Sequence, residues 1–398
     1  MESIWTKTCQ FPQRESLPGD KTCEIAVIGG GMAGILVASF LQDSGHSVIV
    51  LEGNRIASGQ TRNTTAKITS QHGLNYAKLL ETMGKERAAQ YAMANEAAID
   101  VFRRIIHEKQ IDCDFEECSA YVYGNTDVLK REANAVKALK LPAAYVEDET
   151  LPFEAAGAVR FDGQAQFHPL RFLQALAEPL TIFEQTMVQK VEGNQIITHR
   201  GTVKADKIIF ACHYPFVNFP GMYFARMHQE RSYVLALKHA EFPEGMWIGA
   251  EKGTLSVRSY GDLLLLGGGS HRTGENKTGG QYEWLRQQAR RWFPGSQEVA
   301  CWSAQDCMTA DGVPYIGQYA ASEPDWYVAT GFQKWGMTSA MVSAMLLTDQ
   351  IEGRWNPFGQ VFDPVRFDTA AAAGIMEEGK QAVKGLTKRI LEIPEEQV

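Results

Sequence analysis

The chain has 398 residues, 44% hydrophobic and 22% charged, a globular composition that excludes disordered, collagen-like and disulfide-scaffold classes. Its 39 Lys and Arg against 47 Asp and Glu give a net charge of -8 with no basic run, so neither nucleic acid nor an anionic membrane is an expected partner. Seven scattered cysteines, none in CxxC spacing, suit reduced thiols and a cytoplasmic protein without a metal centre. No apolar run approaches the roughly 20 residues of a membrane span, and the N-terminus lacks the order of a signal peptide.

An N-terminal arm to about Asp20, punctuated by Pro12, Pro18 and Gly19, is expected to be irregular. EIAVIGG then predicts a buried strand, GMAGILVASFLQDSG a helix closing at Gly45, and SVIVLE a second buried strand. Tyr91, Ala94, Ala98, Val101, Phe102 and Ile105 recur at helical spacing, which predicts a long helix from Lys85 to His107. Short strands between Cys113 and Gly124 precede the helices DVLKREANAVKALKL and HPLRFLQALAEPL. TMVQKVE, QIITHRG, TVKAD and KIIFAC read as strands, and a β-rich stretch follows from about Phe216 to Phe293. Late in the chain DWYVATG is a strand and GMTSAMVSAMLLTDQIEG a helix, with Gly353 just past its end. The tail from Thr369 reads as a helix or tether. A β-rich block between two α/β portions predicts an α/β protein in which a discontinuous, Rossmann-like domain carries a second domain with a mixed sheet.

The chemistry concentrates at VIGGGMAGILVASF. Gly29, Gly31 and Gly34 form GxGxxG between strand and helix, with Met32 and Ala33 opening the helix. The first glycine permits the turn, the second lets backbone approach a pyrophosphate, and the third packs helix on strand. Unpaired N–H groups at the helix start attract the anion. Glu52, eighteen residues beyond Gly34, ends the second strand where a carboxylate accepts from ribose hydroxyls. This is a dinucleotide site. NAD and FAD share the fingerprint, but a single copy leaves no place for a second nucleotide and favours FAD reduced by the substrate itself.

With GNRIASGQTRNTTAKIT after Glu52 and DGVPYIGQY…DWYVATGFQKWGMTSAMVSAMLLTDQI near the C-terminus, the chain resembles the FAD-dependent D-amino-acid oxidase superfamily, which includes glycine and sarcosine oxidases and γ-glutamylputrescine oxidoreductase. The resemblance spans about Ile25 to Ile351. It implies that Arg55, Thr61, Arg62, Thr65 and Ala66 wrap the cofactor, that Val188 meets the adenine, and that Ala211 and Cys212 border the cleft. Lys334, Trp335, Gly336, Met337 and Thr338 would face the flavin, where a helix N-terminus and a lysine stabilise the negative charge of the reduced ring. It further implies a FAD-binding domain of residues 20–110, 150–215 and 300–365, a substrate domain of 111–149 and 216–299, an arm of 1–19 and a tail of 366–398. FAD is expected to be non-covalent, because Cys301 and Cys307 do not align with the attachment cysteine of sarcosine-oxidase-like proteins.

Substrate residues are where the chain departs from its kin. Amino-acid-oxidising members carry a carboxylate-clamping arginine five residues before the motif aspartate. Here that position is Asp306, which attracts a cationic amine or, alternatively, caps a turn or pairs with Arg290 or Arg291. Arg258 or Arg272 would then supply the clamp. Leu265 stands where sarcosine-oxidase-like members place an oxygen-activating lysine, which tilts the reading towards a dehydrogenase. His271 falls near an active-site histidine of such enzymes. His72 follows the cofactor loop and either reaches the flavin edge or serves as a hydrogen-bonded structural residue. The implied activity is oxidation of a C–N bond of a small amine or amino acid by hydride transfer, with oxygen or a separate electron acceptor. The alternatives are a 2-hydroxyacid or polyol dehydrogenase and a FAD-holding electron-transfer subunit. GQTRNTTAKITSQHG and WSAQDCMTADGVPYIG also resemble bacterial relatives with a C-terminal Rieske domain. The tail before Val398 carries no Cys-x-His pair.

Overall fold

In the computed structural model, which describes residues 2–147, 153, 155–276 and 278–366, the apolar runs of the sequence meet in one parallel sheet. Its main order is Tyr315–Ala320, Glu323–Thr330, Gly201–Phe210, Lys21–Ile28, Val48–Leu51 and Thr181–Phe183, parallel except for the first strand, and an antiparallel pair, Gln195–Thr198 and Val188–Glu192, adds to Gly201–Phe210. Ile25 and Val27 join one buried cluster and Ala26 and Ile28 another, so both faces of the sheet are covered. That two-sided burial is why EIAVI reads as a continuous apolar run. The helices Met32–Asp43 and Gly336–Ile351 pack against each other over one face.

Register decides what this sheet positions. Ile28 lies opposite both Leu51 and Phe210, and Phe210 opposite Val328. Lys21–Ile28, Val48–Leu51 and Gly201–Phe210 therefore end level, as does Thr181–Phe183 through Phe183 opposite Leu51, while Glu323–Thr330 runs two residues on. The residues that follow them share one crevice, the place where open α/β sheets bind ligands.

A nine-stranded mixed sheet forms the second layer, in the order Gln297–Thr309, Met227–Lys238, Leu263–Arg272, Ser256–Tyr260, Met246–Gly249, Glu116–Tyr123, Ala158–Gln166 and Lys67–Ile68, with Ala143–Val146 added beside Ala158–Gln166. Ala158–Gln166 thus belongs to this sheet although it lies within the segment 150–215 assigned to the nucleotide side, and Gln297–Thr309 straddles the expected boundary at residue 300. Both carry mixed polar and apolar residues, which gave no sign of which sheet they would join.

Several local expectations change. The arm contains a short helix, Ile4–Thr8, whose Trp5 is fully buried. TVKAD and KIIFAC are one strand, Gly201–Phe210, because the exposed Lys204 and Asp206 alternate with buried Val203 and Ala205. The helix predicted from Lys85 begins at Asn75 and is broken at Gly84, which takes φ 77° and ψ 169°. The β-rich block also holds a helix, Gln281–Trp292, that buries Leu285 and Ala289. The tail expected as a helix or tether lies outside the described residues.

Candidate functional site

The crevice encloses a cavity of about 650 Å3, lined by Gly29, Gly31, Met32, Ala33, Glu52, Thr61, Val188, Ala211 and Cys212 among others. Each glycine has a separate reason. Gly29 has φ +115°, and a Cβ there would lie 2.6 Å from the Ala211 carbonyl oxygen. Gly34 does not line the cavity, and a Cβ on it would run into the Gly29 carbonyl oxygen. At Gly31 the backbone is extended (φ -87°), and a Cβ would meet only Thr61 Oγ1, at 3.2 Å. The space above Gly31 is therefore cavity and not protein, and Gly31, as N-cap, brings no side chain to the N–H groups of the helix behind it. Glu52 accepts from the Gly30 N–H at 2.7 Å and the Asn54 N–H at 2.8 Å, while burial pushes its pKa up. The cradle fits a dinucleotide pyrophosphate and ribose. His213, on the same wall, has a buried Nε2 with no partner among the described residues.

The loop after Glu52 is fastened from outside. Thr61 Oγ1 accepts from the Met32 N–H at 3.0 Å, tying the loop to the helix N-terminus. Four successive carbonyls are then taken by side chains of distant elements. Asn63 accepts from Trp302 Nε1 (2.9 Å), Thr64 from Trp5 Nε1 (2.7 Å), and Thr65 and Ala66 from Arg258 Nη1 (2.7 and 2.8 Å).

This arrangement reassigns four residues. Arg258, 1% exposed and lining neither cavity, braces the loop and is not a substrate clamp; burial brings its pKa down to about 10. Arg55 is paired with the fully buried Glu184 at 2.9 Å and donates to the Phe11 carbonyl, so it holds the loop's outer side and does not face the cavity. Arg62 is exposed and lines neither cavity. Ala66 adopts φ 56° in the same braced turn and is buried behind the cavity wall.

A second cavity, about 730 Å3, lies against the nine-stranded sheet and shares Thr64, Ala304, Asp306, Lys334, Gly336 and Met337 with the first. At this junction Lys334 Nζ lies 3.0 Å from Glu230 and 3.6 Å from Asp306, so Asp306 pairs with Lys334 and with neither Arg290 nor Arg291. Arg290 pairs with Glu283, and Arg291 stacks on Trp292. Burial pushes Asp306 up to about 6, with Lys334 opposing and Glu230 adding to the shift. Glu230 is held down at about 2, chiefly by its hydrogen bond with His228 and then by Lys334. The Gly336–Ile351 helix has no side-chain cap, and Gly336 and Met337 bring its N-terminus to both cavities.

His271 lines the second cavity, its Nε2 3.1 Å from Tyr233 Oη and its Nδ1 2.9 Å from the Arg272 carbonyl. Thr65, Trp335 and Arg272 line it too. His72 does not. It is 4% exposed, stacks on Trp335 at 4.7 Å, contacts Tyr91 Oη, the Thr69 carbonyl and Thr338 Oγ1, and burial brings its pKa down to about 3. His72 and Thr338 thus pack the start of the Gly336–Ile351 helix and lie behind the cavity.

Sequence reading missed Glu230 and His228, which alternate with neighbours along a strand otherwise read only for its apolar half, and Lys67, whose place in TTAKIT gives no sign of burial. Among the described residues no helix is long and apolar enough to cross a membrane.

Residues 24–350 match the family model described as FAD dependent oxidoreductase (DAO). The chain is 36% identical over 416 residues, covering 100% of itself and 82% of the relative, to the putative Rieske 2Fe-2S iron-sulfur protein YhfW of Bacillus subtilis (strain 168). In fold it is similar to glycine oxidase from Geobacillus kaustophilus (TM-score 0.72, 18% identity, 87% of this chain and 99% of that one). It is also similar to L-proline dehydrogenase from P. horikoshii (TM-score 0.73, 18% identity, 88% and 98%).

Proposed function

The chain belongs to the DAO family of FAD-dependent oxidoreductases, and on that premise we propose that it oxidises a C–N bond of a small amine or amino acid bound in the second cavity. The observation that carries this reading is the junction of the two cavities. There two carboxylates, Glu230 and Asp306, flank one cation, Lys334, beside an uncapped helix N-terminus. That excess of negative charge suits a substrate ammonium.

FAD, when bound, supplies the two-electron acceptor. Gly31 and Thr61 would hold its pyrophosphate, Glu52 its ribose, and Val188, Ala211 and Cys212 the adenosine side of the cleft. Lys334 and the Gly336 helix start would oppose negative charge at the far end of the ring. Asp306 and Glu230 would orient the amine, and Arg272 would receive a carboxylate where the substrate has one. The cofactor would be held without a covalent bond and released by acid or heat. An iron–sulfur acceptor is favoured by the relative named as a Rieske protein, with oxygen as the other candidate.

The test is anaerobic mixing of the holoenzyme with amines, amino acids and 2-hydroxyacids while the flavin absorbance is followed. Bleaching by an amine and not by the matching hydroxyacid is expected. Bleaching by hydroxyacids alone would replace the amine reading with a hydroxyacid dehydrogenase.

A further inference from the structure

We propose that Lys67 is the base that takes a proton from the substrate ammonium before oxidation, an inference that rests on the amine reading above. Lys67 follows the cofactor loop directly and forms the edge strand of the nine-stranded sheet, pairing with Gln166. Its side chain is 8% exposed yet lines the second cavity. Nζ is in hydrogen-bond contact with Ser256 Oγ, and among the described residues no carboxylate lies within ion-pairing distance. Buried amines in that situation favour the neutral form, with a lone pair to offer.

The surroundings reinforce this. From the Ser256–Tyr260 strand comes Arg258, a like charge that disfavours the ammonium. From the Glu116–Tyr123 strand comes Cys118, whose thiol is pushed up to about 12 and so adds no anion at neutral pH. Glu116 on that strand is engaged by Gln166 Nε2 at 2.8 Å. The Ala158–Gln166 strand presents Gln166, and the Gly336–Ile351 helix presents no titratable side chain among Gly336 to Ser339. The same cavity is lined by His228, Glu230, Glu251, Lys252, His271, Arg272, Glu275, Asp306 and Lys334, so the ammonium and Lys67 share one enclosed space. Burial first, and Arg258 second, bring the Lys67 amine down to about 7, the range in which a general base works best at neutral pH. Lys334 is tied into two ion pairs, and both ring nitrogens of His271 are engaged, so neither competes for this role.

The bond accounting is simple. One N–H bond of the substrate ammonium breaks and a new one forms at Lys67 Nζ, which leaves a lone pair on the substrate nitrogen. That lone pair forms the C=N bond as the hydrogen on the adjacent carbon leaves with its electron pair. The amine is thereby oxidised to an iminium cation, and its two electrons pass with that hydrogen to FAD.

Two measurements test the assignment. In the first, the holoenzyme is pulse-labelled with trace acetic anhydride between pH 5 and 10 and Lys67 modification is read by peptide mass spectrometry. A midpoint near 7 is expected, and one above 9 overturns the inference. In the second, the anaerobic bleaching rate with the best amine is followed against pH in wild type, Lys67→Met and Lys67→Arg, with flavin content checked in each. Wild type should show a limb rising through about 7. Both variants should lose it and fall about 10²-fold at pH 7, recovering towards the pH at which the free amine dominates in solution. Lys67→Arg keeps a cation without a base, and it decides the matter if Lys67→Met loses flavin. Bleaching with the limb intact in the variants overturns this inference alone, whereas a wild type that no amine bleaches overturns the amine reading with it.

Discussion

Replacing Gly31 with Ala separates cofactor binding from folding. The backbone there is extended, so alanine adopts it without strain, and the new methyl meets only Thr61 Oγ1, at 3.2 Å. Without ligand, at most the bond from Met32 N to Thr61 is disturbed, which costs about 0.5–1.5 kcal/mol. With ligand bound, the methyl occupies the approach of the pyrophosphate, and overpacking of that kind costs about 1–3 kcal/mol. FAD affinity should therefore fall roughly tenfold to a hundredfold. Apoprotein prepared by acid release and titrated with FAD by flavin fluorescence quenching gives the affinity, and circular dichroism of the apoprotein gives the fold. Gly34→Ala is the control, since its methyl collides with the Gly29 carbonyl and should prevent folding altogether. Wild-type FAD affinity in a folded Gly31→Ala protein would refute the assignment of this loop.

Other substitutions probe the remaining charges. Asp306→Asn should weaken binding of a cationic amine about tenfold to a hundredfold, a loss of about 1.5–3 kcal/mol, with flavin content unchanged. Because Asp306 loses its proton near pH 6, wild-type affinity for such an amine should decline as pH falls through 6, and the variant's apparent Kd should lack that decline. Arg366→Leu strands the buried Asp311 carboxylate, 4% exposed and held by two bonds of 2.8 and 3.0 Å, and should destabilise the fold by about 3–5 kcal/mol in urea unfolding. Lys67 is protonated more readily in the unfolded chain than in the fold between about 7 and its ordinary value of 10.5, so wild-type stability gains from this group as pH rises through that window. Lys67→Met should be more stable than wild type at pH 6.5 in the same assay, and its advantage should shrink towards pH 10. NADPH without other substrate should not bleach the flavin, because the chain holds one dinucleotide fingerprint.

The legible part of this protein was the part specified over short distances. Strand, glycine turn and helix from Glu24 to Glu52 follow from backbone sterics and two-sided burial, and the sequence spacing carries both. The same holds for the late strand and helix around Gly331, where φ is +72°. What could not be read was partnership across the chain. Arg258 looked like a substrate clamp because an arginine on a β-rich sheet has no visible partner until Thr65 and Ala66, over 190 residues earlier, are folded beneath it. Lys67 escaped notice for the same reason, since its burial depends on the register of Gln166 and on Ser256. Asp306 was recognisable as a departure, but Lys334 as its counter-ion was not.

The row of carbonyls from Asn63 to Ala66 has a practical consequence. One of its four restraints, Trp5, sits within the first eight residues, a segment that looks dispensable on a linear map. Clipping that segment by a protease, or pulling on it with a bulky N-terminal fusion, would release Thr64 while leaving both sheets intact. Flavin retention should then fail, together with melting temperature, because Trp5 is also a fully buried core residue. Colour, in effect, is the quality control for the amino terminus.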